Sequence, residues 1–274
     1  MKRRARIVAL LSVLLVALAA MASAASAASP IYLSLGDSWP AGAGTSSPDN
    51  RYPVVLSAAL QEQFDCSASG KDKPNGKCQN LQLVDISVGG ATTPTLIANQ
   101  LPQAESLLAE RNTDHNPRND IEVITLHIGG NDVTGPIIAA CIQNPGSAGC
   151  LQTVQNEFAA YRSDLDTLLS ALREAAGPDT RIVIGTYDNP IPTCFLGAVP
   201  GASQLGAIVL EGGPGVPLGL HDIMRDVAED YDVEVASVFG QLVPADWVGG
   251  NDCLHPRDTG YQKVVDAFLG VLTG

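Results

Sequence analysis

Four short turns in this chain carry groups that could perform acyl transfer. Gly36-Asp37-Ser38 offers a hydroxyl, and Gly89-Gly90-Ala91-Thr92-Thr93 offers a flexible backbone. Gly129-Gly130-Asn131-Asp132 offers a side-chain amide, and Asp252-Cys253-Leu254-His255 offers an imidazole three residues after a carboxylate. A serine hydroxyl is a weak nucleophile until a base takes its proton. His255 could be that base for Ser38, because imidazole changes charge near neutral pH. Asp252 could hold the ring in one tautomer through its other nitrogen. The tetrahedral intermediate also needs donors aimed at its oxyanion. The backbone N–H groups of Ser38 and Gly90 and the amide of Asn131 could supply them, and a glycine at position 90 allows close backbone approach.

Each turn alone has an ordinary reading. Ser38 could be a helix cap, the Gly- and Asn-rich turns could simply host positive φ, and Asp252 could open a capped helix before Pro256. The catalytic reading comes from where they fall. Apolar, β-branched runs at residues 31–35, 81–88, 121–128, 181–187 and 233–239 read as strands. Residues 52–64, 95–111 (kinked at Pro102), 150–176, 218–231 and 258–272 read as helices. In 150–176, Leu151, Val154, Phe158, Tyr161, Leu165, Leu168 and Leu172 recur at helical spacing, and Gly177-Pro178 stops the run. Five strands alternating with helices predict a parallel sheet covered on both faces, which binds ligands beyond the carboxyl ends of its strands. All four turns follow a strand, the last of them the fifth. The Gly- and Pro-rich segment 188–217 reads as a long irregular loop. Its Leu196, Val199, Leu205, Ile208, Val209 and Leu210 could line a groove for an acyl chain. His127 reads as a core histidine, His115 as solvated, His221 as opening a helix, and Asp132 as capping the helix after its turn.

These four blocks resemble those of the GDSL or SGNH hydrolases, named for Ser, Gly, Asn and His. Gly36-Asp37-Ser38 matches the nucleophile block, Gly90 with Ala-Thr the second, Gly129-Gly130-Asn131-Asp132 the third and Asp252-Cys253-Leu254-His255 the DxxH. The resemblance implies a three-layer α/β/α sandwich with a five-stranded parallel sheet, of flavodoxin-like kind. It also implies Ser38, Asp252 and His255 as catalytic residues and Ser38, Gly90 and Asn131 as the oxyanion hole. Trp39-Pro40 departs from the Leu or Tyr and small residue that many members carry there.

Residues 1–28 look different from the rest: a basic head, an apolar run too short to span a membrane, then Ala and Ser. They read as a secretory signal peptide cleaved near Ala27 or Ala28, leaving 29–274 as one hydrolase domain. Their four basic residues, subtracted from the 16 in the chain, leave 12 against 29 acidic ones, a net charge of −17. Such a surface argues against nucleic-acid partners, and no later apolar run suits stable membrane insertion. Six cysteines in an exported chain imply three disulfides, similar to secreted actinobacterial lipases and esterases. Fifteen pairings are open; the sequence-neighbour scheme is Cys66–Cys78, Cys141–Cys150 and Cys194–Cys253. The expectation is a secreted, monomeric serine esterase or lipase acting on a small-molecule or lipid ester, with no metal and no cofactor. The same triad would also suit a carbohydrate acetylesterase, a phospholipase A or a thioesterase. A catalytically silent binding module should have lost a triad residue, and none is lost.

Overall fold

The computed structural model describes residues 29–64 and 80–274. The expected signal peptide and the expected Cys66–Cys78 bridge lie outside these residues. The expected sheet is present: β1 (Ile31–Gly36), β2 (Gln82–Asp85), β3 (Ile121–His127), β4 (Arg181–Gly185) and β5 (Glu234–Ala236) pair in parallel in the order β2-β1-β3-β4-β5. Every residue of β1 is buried, and in β3 all but Glu122 are, as a strand covered on both faces requires. The edge strand β2 is half-exposed.

Helices α1 (Tyr52–Phe64), α2 (Thr93–Asn99), α3 (Leu101–Arg111), α4 (Gly130–Cys141), α5 (Ala148–Ala176), α6 (Ala202–Glu211), α7 (Leu220–Asp230) and α8 (Asp258–Leu272) cover it. α1 and α8 pack together, and α3 and α7 flank α5, giving the three-layer α/β/α sandwich. α5 buries the expected stripe, including Val154, Phe158, Tyr161, Leu165, Leu168 and Leu172. Ser147 caps it by accepting the Cys150 N–H, and Gly177 ends it with φ of 72°. Among the described residues, no helix is long and apolar enough to cross a membrane.

Several details differ from the expectations. The kinked helix over 95–111 is two helices, α2 and α3, meeting at Gln100. Proline occupies the first turn of each, where its missing N–H costs nothing. The break leaves the Gln100 amide free to reach β1. Its Oε1 accepts the Gly36 N–H at 2.9 Å and its Nε2 donates to the Gly36 carbonyl at 2.8 Å. β2 is shorter than 81–88 because only its first residues pair fully, although the N–H groups of Ile86 and Val88 still donate to the carbonyls of Ser34 and Gly36. Segment 188–217 is not structureless: it contains α6 and two short 3-10 turns. The Asp252–His255 block is not a turn after β5. It lies on the second strand of an antiparallel hairpin, β6 (Trp247–Gly249) and β7 (Asp252–Pro256).

Gly36 sits where β1 ends, with φ of 138°, and a Cβ there would collide with the His127 carbonyl oxygen. Only glycine suits that conformation, and Gln100 saturates its backbone. Gln100→Ala should therefore leave a buried N–H without an acceptor and lower stability by about 2–3 kcal/mol. Urea unfolding monitored by far-ultraviolet circular dichroism measures this, and a loss under about 0.5 kcal/mol would mean that the clamp contributes nothing.

Candidate active site

The strand order reverses direction at β1 and β3, the switch point at which such sheets open a crevice at their carboxyl ends. Ser38 leaves β1 there, and Asn131 leaves β3 in the first turn of α4. The hairpin delivers His255 to the same place. The Ser38 hydroxyl lies 3.0 Å from His255 Nε2, and His255 Nδ1 lies 2.8 Å from Asp252 Oδ2. Asp252 Oδ1 accepts the backbone N–H groups of Leu254 and His255 at 2.8 and 3.0 Å. One carboxylate thus shapes the strand and orients the ring. Burial alone would raise the Asp252 pKa, but the His255 ring and these N–H donors outweigh it and hold the carboxyl below its ordinary range.

Asn131 Nδ2 donates to the Ala91 carbonyl at 2.9 Å, which joins the third block to the second beside Gly90. That bond uses one amide hydrogen and fixes the direction of the other. Gly90 has φ of 80° and is exposed, with open space where a Cβ would stand. Asp132 does not cap its own helix. Gly129 occupies the N-cap position of α4, and both Asp132 oxygens accept the Thr93 N–H at 3.0 Å, which fastens the start of α2.

Two residues beside the triad were not singled out by their sequence positions for what they do. Trp39 is buried; its indole N–H donates to the Leu254 carbonyl at 3.1 Å, joining the Ser38 turn to the strand of His255. Tyr187 follows β4, and its hydroxyl donates to Asp37 Oδ2 at 2.6 Å. Tyr187 lies two residues past β4, at a strand end like Ser38 and Asn131.

His127 is a core histidine, as expected, with Nε2 against the Thr186 carbonyl at 2.8 Å; burial pushes its pKa down to about 3. His221 opens α7 and is buried, with Nδ1 facing Glu211 Oε1 at 2.5 Å and Nε2 accepting the Tyr187 N–H at 3.1 Å. His115 is exposed, in a left-handed conformation.

An apolar cavity opens beside Ser38, which lines it. Leu196, Leu205, Val209 and Leu210 line it as expected, together with Ile137 and Ile138 of α4. Val199 and Ile208 do not. Ile208 turns to the core, and Val199 closes a 3-10 turn through its N–H to the Leu196 carbonyl. Cys194 bonds Cys253, and Cys141 bonds Cys150, both as expected. The first bridge ties the strand of His255 to the connection after β4, and Cys141 and Cys253 both line the cavity.

Comparison with known proteins adds to this. Residues 34–263 match the family described as GDSL-like Lipase/Acylhydrolase. No curated protein matches the chain in sequence. Among similar solved structures is an extracellular lipase from Streptomyces rimosus, 17% identical, covering 89% of this chain and 99% of that one at a TM-score of 0.56. Another is phospholipase A1 from Streptomyces albidoflavus, 21% identical, covering 90% and 99% at 0.52. A lipase from a goat rumen metagenome is 15% identical, covering 88% and 97% at 0.58. At such identities the likeness is one of fold.

Asp37 is 2% exposed. Burial raises its pKa to about 7, against the lowering effect of the Tyr187 hydroxyl and the Trp39 N–H, and the Asp132 charge adds to the rise. An unfolded aspartate ionises near pH 4, so between about pH 4 and 7 the folded chain holds a proton that the unfolded chain has released. The contribution of this group to stability must then fall as pH rises through that window. Asp37→Asn has no such loss. Its melting temperature relative to wild type should climb by about 5–10 °C from pH 4.5 to 7.5 in parallel calorimetric scans. A flat difference would show that Asp37 titrates as an ordinary aspartate.

Proposed function

The chain belongs to the GDSL-like lipase/acylhydrolase family, and from that premise we propose that it is a secreted serine esterase or lipase hydrolysing carboxylic esters through an acyl-enzyme on Ser38. The observation that carries the reading is the Ser38–His255–Asp252 chain, at 3.0 and 2.8 Å, at the mouth of an apolar cavity. In this reading His255 Nε2 takes the Ser38 proton as Oγ bonds the ester carbonyl carbon. Asp252 stays ionised and steadies the imidazolium. The Ser38 and Gly90 N–H groups and the second Asn131 amide hydrogen meet the oxyanion. His255 then gives its proton to the leaving alcohol as the carbon–oxygen bond breaks. Water attacks the acyl-enzyme, His255 takes its proton, and the acid leaves as Ser38 regains a hydrogen.

The cavity favours an aliphatic acyl chain over a sugar. Apart from Ser38 and Asn131, the polar side chains that line it are already engaged within the protein. Thr134 Oγ1 donates to the Gly130 carbonyl at 2.6 Å. Asn189 donates to the Ser203 carbonyl and accepts the Ile191 N–H. Asp188 accepts the N–H groups of Asn189 and Leu242. A sugar hydroxyl buried there would lack partners, whereas an alkyl chain needs none. The same triad with an open alcohol side would also serve a phospholipase A, the activity named for the Streptomyces albidoflavus structure. Export is supported by two disulfides in the described residues and by the leader-like sequence of residues 1–28. The acidic surface disfavours nucleic acid.

Hydrolysis of 4-nitrophenyl esters from acetate to palmitate tests the activity and the cavity together. Ser38→Ala should lose about 10⁴-fold or more in kcat, and equal rates in the two proteins would remove Ser38 from the mechanism. Wild-type inactivity on every ester would favour a binding module instead. Leu205→Trp, which fills the cavity from α6, should shift the preferred chain towards acetate and butyrate with little loss on the shortest esters. An unchanged chain-length profile would place the acyl group elsewhere.

A further inference from the structure

Asp37 and Tyr187 form a buried pair between the two turns that carry Ser38 and Asn131. Asp37 is fixed from three sides. Its N–H donates to the His127 carbonyl at 2.9 Å, its Oδ1 accepts the Trp39 N–H at 2.9 Å, and its Oδ2 accepts the Tyr187 hydroxyl at 2.6 Å. The first and second bonds fix the backbone on either side of Ser38. Tyr187 is equally constrained. Its N–H donates to His221 Nε2 at 3.1 Å, and its ring lies against Gly130, where an added Cβ would stand 3.1 Å from it. The Trp39 indole meets the same ring edge-on, with centroids 5.1 Å apart. One tyrosine thus touches the residue before the nucleophile and the residue before Asn131.

We infer that Tyr187 and Asp37 are positioning residues for the acyl-transfer step, holding the Ser38 turn and the Asn131 turn at a fixed spacing. The inference rests on the proposed esterase reading. The two turns must present a hydroxyl and an amide to opposite sides of one carbonyl group, and an error of a few tenths of an ångström between them weakens attack and oxyanion binding together. Neither residue needs to touch the substrate for this. Within the pair, the Tyr187 hydroxyl supplies the one bond that links the Asp37 side chain to the β4 end of the sheet. Deleting it leaves the ring in place against Gly130 but frees the carboxyl of Asp37 from that anchor. Both residues line the cavity, but the hydroxyl is spent on Asp37, so its loss should appear in kcat and not in KM.

Tyr187→Phe, Asp37→Asn and Asp37→Ala, assayed on 4-nitrophenyl butyrate, test this. Rates are referred to active sites titrated with a fluorophosphonate, so that misfolded protein does not count. Tyr187→Phe should lower kcat per titrated site about tenfold with KM within about twofold. Asp37→Ala should fall at least as far. Asp37→Asn should retain more, because its amide still accepts the Trp39 N–H and can donate to the Tyr187 oxygen. Unchanged kcat per titrated site in Tyr187→Phe and Asp37→Ala, with only melting temperature or titratable fraction reduced, would overturn the inference and leave a structural pair. A rise in KM with kcat unchanged would overturn it too, showing that Tyr187 acts only on binding, through the cavity that it lines. Absence of any wild-type turnover would overturn the inference along with the esterase reading, whereas wild-type turnover with unaffected variants overturns the inference alone.

Discussion

Ser38 and His255 are 217 residues apart in the chain and 3.0 Å apart in space. Everything else in the site depends on keeping that gap closed. Two side chains cannot do it unaided, because each would retain rotamer freedom and the gap would open at little cost. The closure is made by backbone instead. On one side, Gly36 is clamped by the two arms of the Gln100 amide before the chain turns into Ser38. On the other, β7 is held by the Cys194–Cys253 bridge and by the Arg257 N–H to the Asp246 carbonyl at 2.7 Å. Asp246 is itself paired with Lys263 of α8 at 2.6 Å. The two sides are joined across the gap by the Trp39 indole at the Leu254 carbonyl and by the Tyr261 hydroxyl at the Ala43 carbonyl, 2.7 Å. Trp39 after Ser38, a departure from the family's usual pattern, is a crossbeam.

The same frame separates two carboxyl groups on either side of Ser38. Asp252 accepts three donors and is held in its ionised form, which suits a partner for His255. Asp37 is fully enclosed, and burial pushes its pKa up to about 7. Environments that drive two nearby carboxyls apart are how one site assigns them different duties. Here one faces the His255 ring and the other faces the scaffold behind Ser38.

Much of this was legible in the sequence, for a physical reason. Buried parallel strands must be apolar on both faces, so runs such as VITLH in β3 stand out, and the turns that follow them carry the Ser38 and Asn131 blocks. The hairpin of β6 and β7 was hidden because its strands are only three and five residues long, too few to show alternation. Helix α6 was hidden because its start has Gly201 and no side-chain cap, and Gly206 interrupts it. Capping rules assign Asp132 to the nearest helix because they look along the chain, whereas its carboxylate reaches across to α2. Contacts of that kind are made by tertiary packing and leave no local signature.

The cavity brings these strands together. Its wall is built partly from α4, which also carries Asn131, and partly from α6, whose end is tied through Glu211 and His221 to the backbone of Tyr187. A wall attached in this way to the nucleophile frame cannot move far without disturbing it. Loops that bind alone can afford mobility, but here the segment that would select the acyl chain shares its anchors with the residues that would attack the ester. In the proposed esterase reading, selectivity and reactivity would then be set by the same packing. Substitutions that enlarge the cavity at α6 should be easier to tolerate on its exposed side than near Glu211, where the anchor to Tyr187 begins.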